Sequence, residues 1–440
     1  MTINRVILAE YFVAEDATLI FIAREDFSEP VVEEVALPRK RVRESVIDYL
    51  NVLQKGAGEV QVADAWQRQF RLLVEPVIRY AGEGDLIWFV PHDVLHYLPL
   101  HALPVEGRFL LDRNPVCYTP SASVMRFCQA KRKGRREQAL VVGDSRGDLL
   151  YAREEARSIA RLFSTTAYLE SQATKALVTQ QLAQQGKALD VLHISCHGYF
   201  DQEQALKSGI VLASAQESSE DGYNLTAEEI FNLSMNVDLV TLSACETGMN
   251  ERKQGDELIG LTRALIYAGT PSVVVSLWAV DDLSTGLLME RFYQELRRAE
   301  EHENGRFYPI TKAEALRTAQ LYIKSLSAGE VVAYCDQHLA EPGQDDDAER
   351  RLTYLWGKAA AQLKAGDQAS ARQTCQEMVR LSEHLTTDRT RKAAEWASEM
   401  VMMLDFTLSE ASGRPAVAYD SKPFESFYYW APFILIGDWK

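Results

Sequence analysis

The chain has 440 residues, 47 basic and 63 acidic, with a formal net charge of −16. Apolar residues make up 47% and charged ones 25%, an ordinary globular composition that excludes global disorder and collagen-like repeats. The length predicts two or three domains, or one large α/β domain with insertions. The acidic balance argues against a surface that coats nucleic acid, since phosphate binding needs a basic face.

The opening stretch, MTINRVILAEYFVAEDATLIFIARED, has no basic region leading into a long apolar core with small residues at a cleavage site, so no signal peptide is expected. No run of about 18 apolar residues occurs, so no membrane helix is predicted and a cytoplasmic location is expected. Six cysteines stand at 117, 128, 196, 245, 335 and 375, none in a CxxC pair. Their spacing is neither that of a zinc site nor that of a disulfide framework. Reduced thiols are the expectation, with no cofactor.

Residues 1–130 read as a first α/β unit. Apolar runs at 6–13, 17–23 and 86–90 predict strands, and 41–53 and 62–80 predict helices. The second helix repeats Trp66, Phe70, Leu73, Val74, Val77 and Ile78 at helical spacing. The basic run KRKGRRE (131–137) predicts a solvated linker rather than a nucleic-acid patch. From Ala139 strands alternate with helices. ALVVGDS (139–145), 166–169, VLHIS (191–195), VDLVTLSA (237–244) and SVVVSLWAV (272–280) are strands. Residues 154–163, 174–185, 255–268 and 284–300 are helices, the second capped by Thr174. A short helix over 226–233 has Thr226 as its N-cap. Near-continuous apolar strands between helices predict a parallel sheet covered on both faces. Residues 329–418 change character. An acidic breaker, EPGQDDDAER, precedes two short helices around Gly366-Asp367 and a third near 387–406. WAPFILIGDW (430–439) then returns to a buried strand, so the helical segment reads as an insertion.

Two strands end in reactive side chains. VLHISCHGYFD puts His197 just beyond one strand, followed by Gly198. VDLVTLSACETG puts Cys245 at the same end of a later one, with Gly248 three residues on. If the strands are neighbours, His197 and Cys245 face each other at the carboxyl edge of the sheet, where ligands of open parallel sheets bind. A cysteine nucleophile needs its thiolate, which an adjacent imidazole supplies. Glycines beside both let a substrate backbone approach, and the amides of Gly198 and Cys245 can donate to an oxyanion. Alternation puts His193 with His197 and Cys196 on the other side, so His193 reads as a core or supporting residue and Cys196 as packing.

HISCHGYFD, LVTLSACETGMNE, GDELIGLTRALIYAGTPSVVVSLWAVDD and the terminal WAPFILIGDW together resemble the CHAT domain, a caspase-like module often joined to tetratricopeptide repeats and related to separase. PHDVLHYLPLHALP (91–104) and TPSASVMRF (119–127) match its first half. The resemblance covers about 1–328 and 419–440. It implies an α/β fold: a caspase-like parallel-sheet sandwich with a degenerate N-terminal caspase-like half (1–130), a catalytic half (131–328 plus 419–440) and a helical insertion (329–418) before the last strand. It implies a cysteine endopeptidase with His197 as general base and acid and Cys245 as nucleophile. The separation, 245 − 197 = 48 residues with His first, is close to the caspase spacing of about 50. His92, His96 and His101 fall in a segment that is structural in the family, so no metal is expected.

In separase-like relatives an acidic residue matching Asp282 lines the pocket for a basic P1 side chain, through a charge-assisted pair. Asp282 or Ser284 is equally a candidate N-cap of the following helix. Asp281, Asp201 and Asp256 are further acidic candidates by the cleft, although Asp201 and Asp256 sit beside turn or helix starts and read more readily as capping or surface residues. The Asp that precedes the nucleophile in some Arg-specific relatives is replaced here by Ser243-Ala244. Residues 203–224, with the polar run QESSEDG, read either as an activation or partner-sensing loop or as plain surface. Trp396, Met400, Met403 and Leu404 either pack the insertion onto the core or form a docking face. The expected partners are a protein substrate and an activating protein or ligand, with no membrane and no direct nucleic acid. The family's company suggests a prokaryotic defence, stress or cell-death pathway. The alternative is a caspase-like scaffold with vestigial proteolysis. A nucleotide site at ALVVGDSRGD is disfavoured, because that turn lacks the glycine spacing of a phosphate loop.

Overall fold

A computed structural model describes residues 5–53, 65–134, 136–185, 188–199, 204–214, 224–243, 256–301, 307–341, 348–383, 385, 387–410 and 416–440. Among these, eleven strands make one large sheet. They are β1 (Val6–Val13), β2 (Thr18–Arg24), β3 (Val31–Val35), β4 (Leu86–Val90), β5 (Val116–Tyr118), β6 (Ala139–Gly143), β7 (Ala167–Leu169), β8 (Val191–Ser195), β9 (Leu239–Leu242), β10 (Ser272–Ser276) and β11 (Phe433–Gly437). Their order across the sheet is β3-β2-β1-β4-β5-β11-β10-β9-β8-β6-β7. The pairs β1–β2, β2–β3 and β10–β11 are antiparallel, and the rest are parallel. The chain's last strand therefore sits in the middle, joining the sheet's first five strands to the next five.

Every residue of β4, β6, β8 and β9 is buried. Successive side chains of a strand point to opposite faces, so such strands require cover on both. The principal helices are α1 (Arg39–Leu53), α2 (Val124–Lys131), α3 (Leu150–Leu162), α4 (Lys175–Gln185), α5 (Asp256–Ala268), α6 (Asp282–Leu296), α7 (Lys312–Ser325), α8 (Ala328–Ala340), α9 (Ala348–Lys364), α10 (Gln368–Ser382) and α11 (Asp388–Glu410). α6 packs between α3 and α7.

The helix expected over 62–80 is broken. Ala65–Phe70 passes through a tighter turn, Arg71–Leu73, into a single turn, Glu75–Ile78. Pro76 has no N–H to continue a helix and fits only a first turn, which is where it stands.

The basic run at 131–137 is not a solvated linker. Arg132 Nε donates to Asp438 Oδ2 at 2.6 Å, and the Lys133 amide donates to Asp238 Oδ1 at 2.9 Å. Arg136 donates to the Ile310 carbonyl at 3.0 Å and lies 3.4 Å from Asp238. Lys312, fully buried, reaches Asp238 at 2.9 Å and Asp438 at 3.5 Å. Asp238 precedes β9 and Asp438 follows β11, both inaccessible to water. Buried carboxylates need cations, and the run supplies them.

The helices α8, α9, α10 and α11 pack in succession into one block. The two helices flanking Gly366-Asp367 are longer than the sequence suggests, 17 and 15 residues. Gly366 makes the turn with φ of 78°, a backbone that glycine adopts without strain. The block has its own small core, Leu352, Leu355, Ala359, Cys375, Met378, Ala393 and Ala397, joined by Leu150 from the start of α3. Trp396, Met400 and Leu404 turn inward, whereas Met403 is exposed. No helix among the described residues is long and apolar enough to cross a membrane.

Candidate active site

The parallel strands β6, β8, β9 and β10 end on one edge of the sheet. Ile194 of β8 lies opposite Leu242 of β9. The ladder continues past them, with the Ser243 amide donating to the Ile194 carbonyl at 2.9 Å. His197 stands three residues beyond Ile194, and Cys245 three residues beyond Leu242 in the chain. Cys245 and Asp201 lie outside the described residues, and so does 215–223 of the polar loop.

His197 is 8% exposed. Its Nε2 lies 2.8 Å from Asp148 Oδ1, a partner that sequence reasoning missed. Asp148 comes from the turn after β6, which two left-handed residues shape: Asp144 at φ 45° and Gly147 at φ 72°. Gly, Asn and Asp tolerate that backbone best. Asp144 Oδ1 accepts the Leu149 N–H at 2.9 Å, and its carbonyl accepts the N–H groups of Gly147 and Glu170, each at 3.1 Å. The GDSRGD turn, with its spacing wrong for phosphate, thus aims a carboxylate at an imidazole. Such a carboxylate fixes the ring's orientation and tautomer. The sequence signal was an acidic turn at the end of a strand bordering the His strand. Only the sheet order reveals that border, with Gly143 opposite Ser195.

Gly198 begins a three-stranded antiparallel ribbon of Gly198–Tyr199, Gly209–Val211 and Asn224–Thr226. Part of the expected activation loop is therefore regular structure attached directly to His197. The Val211 N–H donates to the His197 carbonyl at 2.9 Å. Bonded and non-bonded pairs alternate in such a ladder, so the next pair, Gly198 and Ile210, is non-bonded. The Gly198 N–H therefore points out of the ribbon.

Beneath the edge, His193 is fully buried, with Nδ1 3.2 Å from the Tyr293 hydroxyl and Nε2 3.0 Å from Glu155 Oε1. Tyr293 donates onward to Thr241 Oγ1 at 2.7 Å. This polar chain ties α3, α6, β8 and β9 together under the site. Cys196 is buried on the opposite side, and burial pushes its thiol up to about 12, so it is an inert packing residue.

The loop after β10 is pinned by Trp278 Nε1 donating to the Tyr428 carbonyl at 3.1 Å and the Tyr428 hydroxyl donating to the Ala279 carbonyl at 3.2 Å. Asp281 caps α6, its Oδ1 accepting the Ser284 N–H at 2.9 Å. The cap expected at Asp282 or Ser284 thus lies earlier, because Asp281 already has the extended backbone that an N-cap adopts. Asp282 is left as the first helical residue and is exposed. Desolvation, then Asp281, then Glu155, pushes its carboxyl up to about 7; because the side chain is exposed, hydration offsets part of the desolvation and the charge of Asp281 is the firmer cause. Asp256 starts α5.

The three N-terminal histidines have separate environments. His92 Nδ1 accepts the Val13 N–H at 3.1 Å. Desolvation, then Arg263, pushes His96 down to about 4. His101 is buried against the Tyr118 hydroxyl at 3.0 Å, and desolvation pushes it down to about 3. No cluster of three or more metal-ligating side chains occurs among the described residues.

The sequence profile of the CHAT domain matches residues 65–438. Tetratricopeptide repeat protein 28 of Homo sapiens is 24% identical over 237 residues, covering 45% of this chain and 9% of that protein. Its Mus musculus counterpart is 38% identical over 72 residues, 16% of this chain and 3% of that protein. The chain thus spans less than a tenth of the length of these curated relatives. Among solved structures, the Saccharomyces cerevisiae separase–securin complex is similar with a TM-score of 0.49 and 10% identity, covering 72% of this chain and 29% of that one. The Arg-specific cysteine proteinase gingipain R is similar with a TM-score of 0.37 and 12% identity, covering 60% of this chain and 62% of that one.

Proposed function

The chain belongs to the CHAT domain family, and from that premise we propose that it is a cysteine endopeptidase acting through His197 and Cys245. The observation that carries this reading is the β8–β9 register: Ile194 and Leu242 are paired on adjacent parallel strands, and His197 and Cys245 each follow three residues later in the chain. In the proposed reaction the Cys245 thiol gives its proton to His197, and the sulfur attacks the scissile carbonyl. His197 then protonates the leaving amine, and water releases the acyl group. Asp148 holds Nε2 of His197, and in this reading Nδ1 is the nitrogen that exchanges the proton with Cys245. The outward Gly198 N–H, with that of Cys245, serves the oxyanion.

Asp282 is the candidate for recognising a basic P1 residue, since the capping task is discharged by Asp281. β10, which leads to it, borders β9, which leads to Cys245. We assign 1–130 to a degenerate caspase-like half, 131–328 with 419–440 to the catalytic half, and 329–418 to an insertion. The substrate is a partner protein, and an activator gates the enzyme, within a prokaryotic defence, stress or cell-death response. A scaffold role is the competing reading, favoured by relatives named for tetratricopeptide repeats, modules that stack into binding surfaces. A peptide library varied at P1 tests the choice. Cleavage after Arg and Lys is expected, falling by about 10³-fold or more in Cys245→Ala and His197→Ala. Cleavage that survives Cys245→Ala contradicts the proposal.

A further inference from the structure

Arg389 lies near the start of α11, in the helical block, and is 4% exposed. Its guanidinium leaves the block and enters the turn after β6. Nη1 donates to Asp144 Oδ2 and to the Gly147 carbonyl, each at 3.0 Å. Nη2 donates to Glu170 Oε1 at 2.7 Å and also to Glu349. Nε donates to Glu349 Oε2 at 3.1 Å. Two of these acceptors, Asp144 and Gly147, are the left-handed residues that shape the turn. Glu349 belongs to α9, so the same side chain grips the block as well. Glu170 is shared with Arg153 of α3.

From the sheet side the turn is held by the Asp144 N–H on the Ser195 carbonyl at 2.8 Å and the Ser145 hydroxyl on the Val211 carbonyl at 2.7 Å. From the block side Arg389 holds it, reinforced by Leu150 in the block's core and by Tyr151 against Trp356 at 5.9 Å. Asp148, between these two sets of contacts, is the residue on His197. A planar guanidinium with five N–H groups suits several fixed acceptors at once, which a lysine cannot reproduce.

We propose that Arg389 is a positioning residue: by fixing the 144–148 turn it holds Asp148 on His197, so the helical block sets the reactivity of the site. The effect on turnover rests on the protease reading, but the effect on the turn does not. The test uses the full chain as wild type, Arg389→Met, Arg389→Lys, Glu349→Gln, Asp148→Asn and the Asp148→Asn/Arg389→Met double variant.

Hydrogen exchange at the amides of 145–149 is expected to quicken about tenfold or more in Arg389→Met, with the β6 amides unchanged. Peptide kcat should fall about tenfold with KM unmoved, as for other supporting residues of a site. Arg389→Lys should recover part of both effects. Glu349→Gln, which keeps the buried cation, should move exchange the same way by less and guards against misfolding of Arg389→Met. The double variant should be no slower than Asp148→Asn. Unchanged exchange at 145–149 in a folded Arg389→Met protein, or losses that multiply with Asp148→Asn, would overturn the proposal. Absence of Cys245-dependent turnover in wild type would count against the protease reading, and exchange alone would then judge Arg389.

Discussion

At Asp281 the carboxylate closes the first turn of α6, whereas at Asp282, one residue on, it faces solvent with its carboxyl pushed up to about 7. Asp281→Ala should cost about 1 kcal/mol in denaturant unfolding, the usual worth of an N-cap, and should not weaken the preference for a basic P1, since losing its charge lets Asp282 ionise more readily. Asp282→Ala should leave stability nearly unchanged and lower kcat/KM for Arg peptides relative to Gln peptides. The ionised form of Asp282 is the one that pairs with a cation, and kcat/KM reports the free enzyme. In wild type the Arg/Gln preference should therefore rise with pH between 6 and 8. A group of pKa about 7 gains up to about tenfold in ionised fraction over that range, and solvent exposure of the site makes the gain smaller. A preference that is flat with pH, or indifferent to Asp282→Ala, would remove Asp282 from the pocket.

Among the elements, the strands that carry His197 and lead to Cys245 were legible because buried parallel strands read as short apolar runs. The N-cap at Thr226 was legible too, whereas its reciprocal bond with Glu229 was not read from the sequence. What the sequence concealed depended on partners far along the chain. Asp148 lies 49 residues from His197, and local pattern carries no record of that pairing. Val31–Val35 exposes most of one face as an edge strand, so it offers no apolar run to read. The basic run 131–137 looked solvated because its acceptors are 105 and 306 positions away. That cluster gives an element-scale prediction. Lys312→Met strips a buried cation from two buried carboxylates and should destabilise the protein by about 3–5 kcal/mol in chemical denaturation. A loss below about 1 kcal/mol would mean that Arg132 and Arg136 satisfy both aspartates alone.

Across the whole molecule, β11 makes the two sets of strands one sheet, and the helical block reaches through Arg389 to the edge where His197 stands. The sequence suggested a sheet with an inserted block, but not that the block and the site share a turn, because that contact runs from 389 to 144 and 147. The family match places the chain among CHAT domains, and the function we propose for it is that of a protease with Cys245 as its nucleophile. The most direct measurement is intact-mass and peptide mapping after treatment with an acyloxymethyl-ketone peptide bearing Arg at P1, beside an Asp-P1 probe. A single adduct on Cys245 is expected, formed faster with Arg than with Asp and lost in His197→Ala and Cys245→Ala. An adduct on another cysteine, or a Cys245 adduct that forms equally well without His197, would contradict it.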